Sequence, residues 1–277
     1  MHLKPVNIKL ESLSWESDFF SLKTGKLILA ENNNQDDDCS ELRSQLELLN
    51  WGMFDLVHCK IPMYKTHWCD ALTMSGFSLV EGEIDLAYDL TKPLIDLSFG
   101  SNQVGLSKLN EMDLFSGNQI IVDVAGIDDI ETLKVHASNL FNSSRFRPRW
   151  YQPTDSGRFY ATWIEKAVLG TFDTICLVVR DKNQGEKDSN GAILGFVSLK
   201  LLSPAEARIG LLAAIPQDMS KSKKPIGTAL IAIAKWWSQA QGVKNLFVAT
   251  QSSNLPALRL YIKTGANICS SSYWLYK

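Results

Sequence analysis

Near the carboxyl end, in QSSNLPALRLYIKTG, an asparagine and a tyrosine stand seven residues apart, Asn254 and Tyr261. On a helix that interval spans two turns, so the amide and the phenol fall on similar faces at opposite ends of the segment. An amide can donate to and accept from a polar chain, and a phenol can hand a proton to a leaving group. Upstream, RIGLLAAIPQ runs through a lysine-rich loop into Pro225-Ile226-Gly227-Thr228. A strand, a loop and a helix opening with glycine form a device for anions. Free N–H groups and the helix dipole face the phosphate, and glycine admits close approach. Ile226, Gly227 and Thr228 are therefore candidate phosphate contacts. Pro225 has no N–H to offer, and Lys221, Lys223 and Lys224 bring charge without a backbone donor's orientation. Each residue also has a structural reading: Tyr261 as a core aromatic, Asn254 as a helix cap, Gly227 as a point of close packing.

These residues need a scaffold, and the pattern from Gln119 onward supplies one. QIIVDVA reads as a strand. GIDDIETLKVHASNLF reads as a helix starting at Asp128 or Asp129, with Ile130, Leu133, Ala137 and Leu140 on one face. A loop, SRFRPRWYQPTDS, precedes the helix GRFYATWIEKAVLG. The strands TICLVVR, AILGFVSLKLL and ARIGLLAAI follow, then the helix IGTALIAIAKWWSQAQG, the strand NLFVAT, the short helix of Tyr261 and the terminal strand SSSYWLYK. The order β-α-α-β-β-β-α-β-α-β predicts an α/β (α+β) fold, a mixed sheet with helices on both faces.

In the first half, Asp38 and Glu41 form a capping pair ahead of the helical spacing of LRSQLELL. FDLVHCKI reads as a strand, HWCDALTM as a helix ending at Gly76, and FSLVEGEIDLAYDL as a pair of strands. Periodicity fails from Lys92 to Asn118, which predicts a connection and two domains, residues 1–115 and 116–277. The halves echo one another: Gly52, Leu56 and Gly76 match Gly242, Leu246 and Gly265 in order and interval. That match reads as a degenerate duplication.

The 277 residues are 45% hydrophobic and carry a formal net charge of −2, which supplies no basic footprint for nucleic acid or an anionic membrane. MHLKPVNIKL lacks the apolar stretch of a secretory signal, and no run is long enough to span a membrane. Five cysteines without a CxxC pair suit reduced thiols and a cytoplasmic location. His58, Cys59, His67 and Cys69 fit no zinc-finger or ribbon spacing, so no metal site is expected. His136 reads as structural or exposed, and Trp236 and Trp237 as packing residues.

IGTALIAIAKWW with VATQSSNLPALRLYIKTGA resembles the GNAT N-acetyltransferase superfamily, whose members bind acetyl-CoA between two splayed parallel strands. The resemblance covers about Ile120 to Lys277. SRFRPRWYQPTDSGRFYATWIEKAVLGTFD, ARIGLLA, VATQ, YIKTGAN and YWLYK, with GFSLVEGEIDLA in the first half, are similar to the dTDP-fucosamine acetyltransferases. Those enzymes N-acetylate dTDP-4-amino-4,6-dideoxy-D-galactose for enterobacterial common antigen. One departure stands out: the superfamily loop reads Q/R-x-x-G-x-G/A, whereas here it is Ser222-Lys-Lys-Pro-Ile-Gly227.

The resemblance implies a catalytic GNAT domain over 116–277 and a degenerate GNAT-like domain before it that helps complete the acceptor site. It implies acetyl-CoA as co-substrate, held by Leu211, Leu212, Ala213, Ile226, Gly227, Thr228, Asn254 and Arg259, with the Leu212 N–H as oxyanion donor. Tyr261 would protonate the leaving thiolate, either while regaining a proton from the attacked amine or with a lowered pKa. Glu81 is the candidate base. Arg145, Arg147 and Arg158 would meet a diphosphate, and Trp150 or Tyr151 would stack on thymine. A nucleotide-sugar partner and a homodimer are also implied. The rival readings are another amino sugar, a peptide amine, or a non-catalytic acyl-CoA-binding module.

Overall fold

The computed structural model describes residues 7–30, 39–92, 120–141, 144–181, 191–216 and 225–277. The lysine-rich loop, Asp38 and nearly all of the predicted connection lie outside the described residues. Ten strands form one sheet: β1 (Asn7–Ser12), β2 (Thr24–Ala30), β3 (Leu56–Pro62), β4 (Ser78–Asp89), β5 (Ile120–Val124), β6 (Ile175–Asp181), β7 (Ala192–Ser203), β8 (Glu206–Ala214), β9 (Asn245–Gln251) and β10 (Asn267–Tyr276). Their spatial order is β1-β2-β3-β10-β4-β9-β8-β7-β6-β5. Among these pairs β2–β3 and β8–β9 are parallel. The helices are α1 (Ser14–Phe20), α2 (Cys39–Glu47), α3 (Thr66–Met74), α4 (Ile130–Leu140), α5 (Asp155–Val168), α6 (Ile226–Ala240) and α7 (Leu255–Lys263).

Strand alternation decides which core each side chain joins. Along β6, Leu177 and Val179 enter the cluster under α6 and α7, while Cys176 and Val178 enter the one under α4 and α5. Both faces are covered, so the strand reads as a continuous apolar run. The stripe expected on α4 is present: Ile130, Leu133 and Ala137 are buried, and Leu140 packs beside them. The element order from β5 to β10 is the one the sequence predicts.

The first half differs from expectation in two places. Residues 7–30 form β1, α1 and β2, which periodicity did not reveal. FSLVEGEIDLAYDL is one strand, β4, rather than a pair. Gly82 suggests a turn by composition, yet it serves contact: a Cβ there would lie 2.9 Å from Met63 Cε, and its carbonyl accepts from the Ser252 N–H at 2.7 Å.

Two β-α-β units of matching length meet at the centre, β3-α3-β4 and β9-α7-β10. Each places its last strand beside the first strand of the other, giving β3-β10-β4-β9. The glycine after each helix, Gly76 (φ 90°) and Gly265 (φ 97°), takes the left-handed backbone that lets the chain turn into the exchanged strand. Sequence segments 1–115 and 116–277 therefore interleave within one sheet. The terminal residues are core: Leu275 and Tyr276 are fully buried, and Lys277 exchanges both backbone hydrogen bonds with Val57 at 2.8 and 2.9 Å.

Leu275→Ala should lower the free energy of unfolding by about 2–5 kcal/mol. Ile268→Ala, at the exposed start of the same strand, should change it by less than about 0.5 kcal/mol. Urea titrations followed by circular dichroism would show equal shifts only if β10 were not held at the centre.

Candidate active site

Strands β8 and β9 begin as neighbours and then part. Their parallel pairing runs from Glu206–Asn245 to Ile209–Val248 and stops. Neither strand ends there. Beyond this point β8 stays paired to β7 as far as Ala214, and β9 to β4 as far as Gln251. A cleft of about 450 Å³ opens in the gap, lined by Gly210, Leu211 and Leu212 on one side and Ala249, Thr250 and Gln251 on the other.

The ladder shows where the backbone of β8 points. The Leu194 carbonyl accepts from the Ile215 N–H at 2.9 Å. Bonded and unbonded pairs alternate in an antiparallel ladder, so Phe196–Ala213 is bonded and Val197–Leu212 is not. The Leu212 N–H therefore turns away from β7, toward the space that β9 has vacated.

Helix α7 closes one end of the cleft. Asn254 caps it, its Oδ1 accepting from the Ala257 N–H at 3.3 Å and its Nδ2 donating to Thr250 Oγ1 at 3.1 Å. Both Asn254 and Tyr261 line the cleft. Tyr261 is 5% exposed. Burial, and secondarily the nearby Tyr88 hydroxyl, raise its pKa, so the phenol is held protonated at neutral pH. The lowered pKa entertained from the sequence is thereby replaced by its opposite. Gly227 has a packing role: a Cβ there would lie 3.1 Å from Leu260 Cδ2, so its absence brings α6 against α7. Of the other helix-start residues, Ile226 is buried and Thr228 exposed.

The opposite wall is charged and aromatic, and comes largely from the first half and β10. Lys60, Glu83, Asp85, Arg145 and Trp274 all line it. Lys60 Nζ lies 2.6 Å from Glu83 Oε1 and 3.5 Å from Asp85 Oδ2. The Trp274 indole N–H donates to Glu83 Oε2 at 3.0 Å. The Arg145 guanidinium lies 4.2 Å from the ring centroids of both Phe146 and Trp274, and its Nη1 donates to the Tyr276 hydroxyl at 2.6 Å. Behind this wall His58 Nε2 sits 3.3 Å from Glu16 Oε2, both side chains largely buried. Burial holds the His58 pKa below its usual value, opposed by Glu16.

The sequence-derived residues thus divide. Leu211, Leu212, Asn254, Tyr261 and Arg145 meet at the cleft. Ala213 follows on β8, its side chain in the α4–α5 core. Glu81 lies outside the lining: one of its oxygens accepts from the Gly82 N–H at 2.9 Å, and the Ser253 hydroxyl is 3.5 Å away. Glu83, two residues on, lines the cleft instead. Arg147, Trp150, Tyr151 and Arg158 lie on other faces of their loop and helix. Tyr151 is drawn inward by Phe20, Phe146 and Tyr276, so its ring offers no open face for stacking. Arg158 donates through Nη2 to the Phe19 carbonyl at 2.7 Å and to Asp155 at 2.9 Å. Arg259 is exposed on α7. Lys60, Asp85, Trp163 and Trp274 went unread; alternation in EGEIDL was the available signal for Glu83 and Asp85.

No protein-family model matches the chain. It is 38% identical over 273 residues to the dTDP-fucosamine acetyltransferase of Escherichia coli O6:H1 (strain CFT073), an alignment covering 99% of this chain and 100% of that protein. Among solved structures it is similar to a tandem GNAT protein from the clavulanic acid biosynthesis pathway, at 14% identity and a TM-score of 0.52, over 92% of this chain and 74% of that one. It is also similar to a GCN5-related N-acetyltransferase from Kribbella flavida, at 12% identity and a TM-score of 0.53, over 91% and 81% of the two chains. At these identities the structural likeness is one of fold. Among the described residues no helix is long and apolar enough to cross a membrane.

The His58 shift has a consequence for stability. Below about pH 6.5 the unfolded chain takes up a proton that the folded site resists, so stability is full above that value and falls as pH drops toward the lower folded pKa. Denaturant midpoints measured between pH 7.5 and 5 should fall with a steeper slope for the wild type than for His58→Phe.

Proposed function

As the chain belongs to the dTDP-fucosamine acetyltransferase family and has the GNAT fold, we propose that it transfers acetyl from acetyl-CoA to the 4-amino group of dTDP-4-amino-4,6-dideoxy-D-galactose. The observation that carries this reading is the parting of β8 and β9 after Ile209 and Val248, with the Tyr261 phenol at the cleft between them. The cleft suits an acyl-CoA arm: it runs between parallel strands, has an inward Leu212 N–H, and has the Asn254 amide on its lining. Residues 1–115 act as a GNAT-like unit that supplies the acceptor wall, and 116–277 as the catalytic unit.

When bound, acetyl-CoA supplies an activated acetyl group on a thiol leaving group. The Leu212 N–H meets the negative charge that gathers on the carbonyl oxygen during attack; one such donor is typically worth about 3–4 kcal/mol. Tyr261, kept protonated by burial, gives its proton to the sulfur. A phenol with a raised pKa yields that proton to a thiolate only uphill, so the step is coupled to the proton leaving the acceptor amine. Glu83 and Asp85 put negative charge on the acceptor side, where they attract an ammonium and draw off its proton, directly or through water. Glu81, the carboxylate singled out in the sequence, lies outside the lining and would act through water. Arg145, which lines the cleft, meets the acceptor's diphosphate in this reading.

In this reading the enzyme works in the cytoplasm, as a homodimer, on the route to enterobacterial common antigen or a related surface polysaccharide. No metal takes part in this scheme.

Incubation with acetyl-CoA and a panel of amines should release free thiol fastest with dTDP-4-amino-4,6-dideoxygalactose; turnover confined to peptide amines would defeat the assignment. In the same assay Tyr261→Phe should lower kcat by about 10²–10⁴-fold while leaving acetyl-CoA binding intact. Glu83→Gln should cost more than Glu81→Gln, and the reverse order would return the base to Glu81.

A further inference from the structure

A buried carboxylate outside the reacting groups lies against the point where β8 changes direction. Asp173, between α5 and β6, is 2% exposed, and one oxygen, Oδ2, accepts two hydrogen bonds: from Ser198 Oγ at 2.6 Å and from the Trp163 indole N–H at 2.9 Å. Ser198, fully buried on β7, uses the same oxygen to accept from the Leu211 N–H at 2.9 Å. Gly210 makes room for this group. A Cβ there would meet Asp173 Oδ2 and would lie 2.8 Å from Ser198 Oγ.

The ladder shows what the group holds. Leu199 faces Ile209 and Val197 faces Leu212, so Ser198 stands opposite both Gly210 and Leu211, a β-bulge. The extra residue turns the strand over. Ile209 packs under α6 and α7, whereas Leu211 and Ala213 pack under α4 and α5. In an unbroken strand Ile209 and Leu211 would share a face. A serine hydroxyl left free could point its hydrogen at the Leu211 N–H. With that hydrogen committed to Asp173, a lone pair faces the amide instead. The orientation of the Leu211 backbone sets that of the next N–H, Leu212.

We propose that Asp173, acting through Ser198, is a positioning residue: it fixes the β8 bulge so that the Leu212 N–H points into the cleft, and its second hydrogen bond fixes the Trp163 indole in the cleft wall. The inference rests on the acetyl-CoA reading of that cleft. Replacing the carboxylate alone would leave the buried Ser198 hydroxyl and the Trp163 indole N–H without their acceptor. Its position is explained by the geometry it imposes.

The test uses the full chain and does not depend on the acceptor. Infrared spectra of acetyl-CoA labelled with ¹³C at the carbonyl should show a downshifted carbonyl band on the wild type, a smaller downshift on Asp173→Asn, which keeps one accepting oxygen, and none on Ser198→Ala. With the nucleotide-sugar acceptor, Ser198→Ala should lower kcat about 10–100-fold with little change in the KM for acetyl-CoA. Should Ser198→Ala fail to fold, Asp173→Asn carries the same comparison. A downshift and kcat equal to wild type in both variants would overturn the inference and leave the functional reading standing. Failure of the wild type to bind acetyl-CoA would remove both.

Discussion

The site depends on two neighbouring parallel strands being released from each other while each keeps its other partner. Past Ile209 and Val248, β8 is held by β7 and β9 by β4, so the gap between them is bounded by satisfied ladders on its outer edges. Backbone groups facing an apolar void would be costly. Facing a ligand channel they are useful, because an unpaired N–H is a donor already oriented before substrate arrives. The same parting that costs the sheet its central hydrogen bonds thus creates the inward N–H that the proposed chemistry uses.

The exchange of strands between the two β-α-β units explains why the first half belongs to the site. β10 lies between β3 and β4, and this places Trp274 opposite Lys60 of β3 and within hydrogen-bond reach of Glu83 of β4. The Lys60–Glu83 contact and the indole hydrogen bond to Glu83 join three strands drawn from both sequence segments. A wall built this way cannot shift without disturbing the centre of the sheet. This wall of the cleft consequently rests on a rigid support.

Much of this was legible in the sequence, and the parts that were not share a physical cause. From β5 onward each helix carries a periodic apolar stripe and each strand a run bounded by turn residues, so order and type could be read directly. β1 and α1 could not: NIKLES is an edge strand of mixed exposure, and SWESDFF is only seven residues long. That omission propagated. Phe20 of α1 stacks on Phe146 and meets Tyr151 edge-on, so Tyr151, one of the two aromatics offered for stacking on a base, is committed to the protein's own core. The difference between Glu81 and Glu83, of which Glu83 lines the cleft, has another origin. The two share a strand face, and which one reaches the cleft depends on how far β4 runs along β9 before the strands end, which no local pattern encodes.

The structural and functional readings of the carboxyl-terminal residues, set against each other in the sequence, turn out to be compatible. Asn254 is a helix cap, and the cap keeps its amide at the cleft lining while fixing the start of the helix that carries Tyr261. Gly227 is a packing glycine, and the contact it permits is with Leu260, the residue next to that phenol. Tyr261 is a buried aromatic, and the same burial keeps its hydroxyl protonated. A short helix of nine residues has little stability of its own. Its capping, its close contact with α6 and the burial of its tyrosine hold it in place, and the proton transfer proposed for that phenol depends on this placement more than on an unusual acidity.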